Sequence, residues 1–237
     1  MKACRSGFGA KSFSWLIWSA MMSTAVGCAI RPTTTLMSIA EARQQKDGTL
    51  VSVGGAVTVP SGLFQSTTHD EGFALQDPTG GIYVSLPIDS GADIGQVLGV
   101  TGELTIRQNQ LSVVPAKTAK VIKLSATTPV EPRPMKTGAV GDSTDGRLIR
   151  VSGKVTAAVR EDLPYGYLFN VDDGSGAVQV FVHTSTGIDV SRLETGMLVT
   201  IIGLGGRYNQ TYEILPRFAD DVQAALAAKK RVRSRRK

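Results

Sequence analysis

At 237 residues the chain has room for one large domain or two small ones, and its 42% hydrophobic content is too high for a disordered polymer. The two cysteines, Cys4 and Cys28, lie near the start, which excludes a disulfide or a thiolate metal site from the folded body. The net charge of +6 belongs to the ends: Lys2, Arg5 and Lys11 open the chain, and Lys229, Lys230, Arg231, Arg233, Arg235, Arg236 and Lys237 close it. Without those ten residues the +6 becomes −4, so residues 28–228 are mildly acidic, unlike a dedicated nucleic-acid barrel with its positive charge on the folded surface.

Residues 13–26 (FSWLIWSAMMSTAV) follow the basic start as a mostly apolar run. The run is shorter than the ~20 residues of a membrane span and has the length and charge order of a secretory signal, here residues 1–27. It ends in Ala25-Val26-Gly27-Cys28, which resembles the bacterial lipobox, where a small residue precedes a lipid-modified cysteine. The resemblance implies an acyl group on Cys28 and a place in the bacterial cell envelope, periplasmic or at the cell surface. The plainer reading of Cys28 is a leftover thiol beside an ordinary cleavage site. Residues 28–36 then read as a tether.

Next, Ser38-Ile39-Ala40-Glu41 has the spacing of a capping box and predicts a short helix. Beyond it the chain repeats itself. LVSVGGAVT (50–58) returns as LIRVSGKVT (148–156), FALQDPTGGIYV (73–84) as FNVDDGSGAVQV (169–180), and the block from Gly95 to Pro115 as Gly196 to Pro216, at offsets of 98, 96 and 101 residues. Within each copy the pattern has period two. Phe73, Leu75, Ile82 and Val84 are expected inside, as are Phe169, Val171, Val178 and Val180, leaving Tyr83 and Phe181 outside. Asp77 and Asp173 sit in turn sequences rich in Gly, where aspartate and glycine form tight hairpins.

Each copy thus reads as a long strand, a hairpin, a short connector and a second hairpin. The pattern aromatic-x-hydrophobic-x-Asp-x-x-Gly-Gly-hydrophobic-x-Val, followed by Gly-x-x-hydrophobic-x-hydrophobic-x-Gly, resembles the bacterial OB-fold group, over nearly all of residues 37–224. The resemblance implies an all-β chain of two tandem five-stranded Greek-key barrels, residues 37–125 and 138–224, with short flanking helices. The connectors, residues 87–94 and 183–193, are too short for a full helix. Residues 126–137, with three prolines, read as a semi-rigid linker. Residues 220–230 read as helix-prone, with Val222 and Leu226 four apart, before the tail of residues 225–237.

No catalytic cluster, cofactor motif or metal-ligand spacing is found. His69 and His183 are expected as isolated, solvated loop residues. OB barrels bind ligands on strands two and three and at their loops, which makes Tyr83 and Phe181 candidates. The hairpin tips Arg107-Gln108-Asn109-Gln110 and Arg207-Tyr208-Asn209-Gln210 share Arg-x-Asn-Gln. Arg107, Asn109, Gln110, Arg207, Tyr208, Asn209 and Gln210 read either as ligand contacts or as plain polar hairpin ends. The basic tail suits any polyanion, including anionic headgroups, or serves as a solubilising end. The expectation is an exported, lipid-anchored, non-catalytic binding protein for single-stranded nucleic acid, a glycan or an envelope protein. A structural module of the envelope with no soluble ligand is the alternative.

Overall fold

The computed structural model describes residues 35–64, 70–107, 110–115, 121–125 and 127–224. The leader, Cys28, His69, Asn109 and the basic tail lie outside them.

Alternating side chains set the strands of the first barrel: β1 (Leu50–Val59), β2 (Phe73–Gln76), β3 (Gly81–Val84), β4 (Val97–Arg107) and β5 (Gln110–Val114). β1 pairs antiparallel with β2 and β4, β2 with β3, and β4 with β5. The parallel pairs Tyr83–Ser112 and Val84–Val113 join β3 to β5 and close the ring. β6 (Ile122–Ser125) adds to the free edge of β4. The second barrel enters through β7 (Arg133–Pro134), parallel to β8 (Leu148–Val155), and β9 (Arg160–Asp162) precedes β10 (Gly166–Asp172) and β11 (Val178–His183). β12 (Leu198–Tyr208) and β13 (Thr211–Leu215) complete it, with the parallel β11–β13 pair closing the ring and β14 (Val222–Ala224) added to β12. The chain is therefore two OB-like five-stranded barrels.

The expected inward residues fill the two cores. Phe73, Leu75, Ile82 and Val84 lie in the first, and Phe169, Val171, Val178 and Val180 in the second. Where a full helix would plug the ring, Ala92 enters the first core, and Ile188 and Val190 the second. Ser38 and Glu41 form the expected capping box on helix α1 (Ile39–Ala42), whose Ile39 and Ala42 are buried in the first core.

The repeat extends beyond the five strands at both ends. Met37 N donates to Ser52 O, and Met135 N, 98 residues on, donates to Arg150 O, both at 2.9 Å. The proline-rich stretch thus ends in β7, built onto the second barrel. β6 and β14 are matching sixth strands. The sequence reading places a helix from residue 220, but a 3-10 turn (Ala219–Asp221) and a strand stand there. The open edge of β12 offers unpaired backbone groups, and extended backbone satisfies them where a helix would not.

The repeated turn aspartates do more than shape hairpins. Asp77 Oδ1 accepts from the backbone N–H of Thr79 and Gly80, while Oδ2 accepts from Ile39 N at 2.9 Å. Asp173 Oδ1 accepts from Ser175 N and from Thr137 Oγ1 at 2.9 Å. Residue 137 is the 98-offset counterpart of residue 39. Each aspartate therefore clasps the entry segment of its own barrel.

The two barrels share a third apolar cluster. Barrel 1 supplies Val59, Leu63, Phe64, Ala74 and Tyr83; barrel 2 supplies Phe181, Leu204 and Leu215. At its border Gly81 meets Gly146 so closely that a Cβ on Gly81 would stand 1.9 Å from Gly146 O, so only glycine fits there. Leu148 N donates to Gln76 Oε1, Ser185 Oγ to Leu63 O, and Arg147 Nη2 to Thr79 O. Arg43 pairs with Asp145 at 2.9 Å. Arg217 is the fullest clamp: Nε and Nη2 bond both oxygens of Asp221, and Nη1 donates across the seam to Thr58 O at 2.8 Å.

The Arg217–Asp221 pair is 11% and 7% exposed, so removing one partner strands a buried charge. Arg217→Ala is expected to lower unfolding free energy by about 3–5 kcal/mol in urea denaturation. Adding Asp221→Asn to it should recover part of the loss; a double variant as weak as the sum of its single changes would contradict this coupling.

Candidate functional site

The OB ligand face of barrel 1 is built and then covered. Tyr83 alternates outward from the core, as its position predicts, but the outward side is the seam, and it is only 8% exposed. Leu204 and Leu215 of barrel 2 belong to the same cluster. Its hydroxyl donates to Asp70 Oδ1 at 3.3 Å, and the same carboxylate accepts from Ser85 Oγ, Gly72 N and Leu86 N. Burial, with Asp70 next, drives the Tyr83 phenol far above its ordinary value, so it remains protonated. Tyr83 is a seam residue rather than an exposed ligand contact.

Phe181 of β11 is half-buried against the same cluster, while the register counterpart of Tyr83 is Gln179. His183, two positions further along β11, corrects the expectation of a solvated loop histidine. Its ring stacks on Phe64 of barrel 1 with centroids 5.0 Å apart and meets the edge of Phe181 at 4.9 Å. Burial lowers its pKa from 6.5 to about 4, so the imidazole is neutral. The alternation 179, 181, 183 places this histidine on the outward face of β11, a signal present in the sequence. Glu213, also buried, accepts from Gln179 Nε2 at 3.1 Å, and burial pushes its carboxyl up to about 7.

The two hairpin tips are not equivalent in the way their sequences suggest. In barrel 1 the strands pair Leu104–Val113 through Arg107–Gln110; in barrel 2 the matching ladder runs Gly205–Ile214 through Tyr208–Thr211. Arg207 therefore stands where barrel 1 has Ile106, and Arg107 where barrel 2 has Tyr208. A one-residue slip on a strand exchanges faces, so the shared Arg-x-Asn-Gln is not a shared surface. Arg207 is also committed within its own barrel. Its Nη1 lies 3.4 Å from Asp142 Oδ1, its Nε donates to Asn209 O, and its guanidinium lies over Tyr212, 5.1 Å from the ring centroid. Tyr212 OH donates to the same Asp142 oxygen. Asn209 holds the turn at φ 54°, a conformation asparagine tolerates, and Tyr208 and Gln210 are exposed beside it. Gln110 is half-buried at the closing pair of the other tip.

The least committed surface lies between β8 and β10. Residues 160–162 form β9, which pairs with Gly166–Leu168 of β10 as a projecting arm. Thr184 fixes its turn by donating from N to Tyr165 O and from Oγ1 to Pro164 O. Leu163 and Tyr165 stand exposed at the tip, 55% and 47%. Among the described residues β9 pairs only with β10, so its other edge carries free backbone groups. Among the described residues, too, no three His, Cys, Asp or Glu side chains converge where a metal ion could sit.

His183 and Glu213 give the protein opposite pH slopes. The depressed His183 value makes its contribution complete above pH 6.5 and lost as pH falls toward 4. The raised Glu213 value favours folding below pH 4.5, an advantage lost as pH rises from 4.5 to 7. Glu213→Gln is expected to stabilise the protein at pH 8 relative to pH 5 by on the order of 2 kcal/mol compared with the parent. His183→Gln should remove a loss of similar size between pH 6.5 and 4. Urea midpoints across pH check both, and a Glu213→Gln profile parallel to the parent's would contradict the first.

No protein-family model matches the chain, and no curated protein matches it. Among solved structures, a murine DNA-binding protein bound to double-stranded DNA is 12% identical over 78% of this chain and 99% of that chain, at a TM-score of 0.41. A replication protein A heterotrimer bound to single-stranded DNA is 15% identical over 41% of this chain and 84% of its own, at 0.32. The hypothetical protein ygiW from E. coli is 18% identical over 38% of this chain and 94% of its own, at 0.29. These scores add nothing to the strand order already described.

Proposed function

We propose that the protein is an exported, lipid-anchored, non-catalytic adaptor of the bacterial cell envelope that engages a protein partner. The observation that carries this reading is the seam. An oligonucleotide bound in the OB manner needs the face around Tyr83 open, and that face is filled by Leu204 and Leu215. The mildly acidic charge of residues 28–228 supports the same choice.

The surface offered to the partner is the β9 arm. A free strand edge accepts an added strand from another chain, and Leu163 and Tyr165 supply rigid anchors of the kind that dominate interfaces. The leader and Cys28 support the envelope location, and the basic tail adds attraction to anionic surfaces.

Two measurements on the full chain test this. Single-stranded DNA binding is expected to fall steeply between about 0.05 and 0.3 M salt and to vanish when residues 229–237 are removed. Binding that survives both treatments would overturn the choice of a protein partner. In cells, a photo-crosslinker replacing Tyr165 should trap one discrete protein adduct, reduced about fivefold by Leu163→Ser.

A further inference from the structure

The outer face of barrel 1 differs in kind from that of barrel 2. On β1 and β4 of barrel 1, Gly54 stands opposite Gly99, with Ile122 of β6 beside Gly99. The counterparts in barrel 2 are Ser152, Thr200 and Gln223, and the two hydroxyls there lie 2.8 Å apart. One repeat is polar where the other is bare backbone, so the glycines are not a requirement of the fold.

Two leucines roof the glycine hollow. A Cβ on Gly54 would stand 2.9 Å from Leu36 Cδ1 and 3.0 Å from Leu124 Cδ1, and one on Gly99 3.2 Å from Leu124 Cδ2. Leu36, Leu124 and Ile122 remain 42%, 44% and 53% exposed, and Leu50, beyond the hydrogen-bonded Ser52–Thr101 pair on the same face, is 69% exposed. The result is an apolar surface at the point where the chain enters the barrel.

The position of Leu36 says what covers this surface. Cys28 lies eight residues before it, a reach of about 28 Å at full extension. Such a tether keeps its root, and the face around it, within that distance of the bilayer. On the anchored reading proposed above, we infer that the face formed by Leu36, Leu50, Ile122 and Leu124 rests in the lipid headgroup boundary. It adds a second attachment that orients the barrels and leaves the β9 arm to its partner. One acyl chain alone holds a protein marginally, and buried apolar area adds to it.

The contact is apolar rather than electrostatic. Glu103 stands opposite Leu50, and Lys123, exposed between Ile122 and Leu124, is the nearby cation on β6. Glu103 also argues against a second copy of the chain on this face. Leu50 and Glu103 correspond to Leu148, whose N–H bonds Gln76 of barrel 1, and to Leu204 of the seam cluster. Barrel 1 therefore carries a charge where a repeated seam needs a leucine.

The test uses the full chain with Cys4→Ser, purified from membranes into vesicles that contain brominated phosphatidylcholine. A fluorophore is placed at Ile122→Cys or, for reference, at Leu163→Cys, and the mass of Cys28 is read on the same preparation. An acylated Cys28 with quenching about threefold stronger at position 122 than at 163, reduced by half or more in Leu50→Ser/Leu124→Ser, is the expected result. The difference should persist at about 0.5 M salt, which screens the basic tail. Equal quenching on an acylated chain, or a difference abolished by salt, overturns the inference and leaves the anchor standing. Concentration-dependent self-quenching at 122 without vesicles assigns the face to a second copy and also overturns it. A Cys28 without acyl overturns the anchored reading, and this inference with it.

Discussion

The apolar seam between the barrels is the contact on which the rest of the molecule depends. A small barrel has few residues with which to build a core, and each of these barrels leaves large side chains on its outside. Tyr83, Ala74, Leu204 and Leu215 are outward residues that become inward ones when the barrels meet. Burial of a Leu or Phe side chain contributes about 1.5–3 kcal/mol, so the cluster is comparable to the net stability of a small domain. The polar groups at its border follow from it. Arg217, Asp221, Arg43 and Asp145 are paired because the seam removes them from water, and His183 is neutral for the same reason.

Comparison of the two copies separates what the fold needs from what this chain added. The turn aspartates, the entry methionines Met37 and Met135 and the sixth strands appear in both, so they belong to the barrel. The glycine hollow and the burial of Leu148 appear in one copy only. The seam is itself asymmetric: the β2–β3 face of barrel 1 meets the β12–β13 side of barrel 2, and the two surfaces are not copies of one another. A heterologous contact of this kind leaves an unused counterpart on each barrel. In barrel 1 that counterpart contains Leu50 beside Glu103, and the charge there ends the series.

Residues with a period were legible in the sequence. Phe73, Leu75, Ile82 and Val84 face the core because alternation is a geometric property of a strand, and the repeat supplied a second reading of each position. The capping box was legible because its four residues act on one another locally. The seam was not. Alternation sorts residues into two faces but says nothing of what lies beyond the outer one, so Tyr83 read as exposed and His183 as solvated. The matching Arg-x-Asn-Gln tips misled for a related reason: composition matched at an offset of 100, while the ladder runs at 101. The helix expected after residue 220 failed because a spacing of four at Val222 is weaker than the demand of an open β12 edge for extended backbone.

Sealing the OB face moves the question of function to the remaining outside. On a single OB barrel the face of strands two and three is the natural place for an extended ligand, and aromatic residues there invite that reading. Here the same aromatics are packed between the two barrels. The open edge and apolar tip of the β9 arm lie on barrel 2, and the roofed glycine hollow lies on barrel 1 where the described chain enters it. The side chains that a lone OB barrel would turn toward a polymer lie here in the contact between the two barrels.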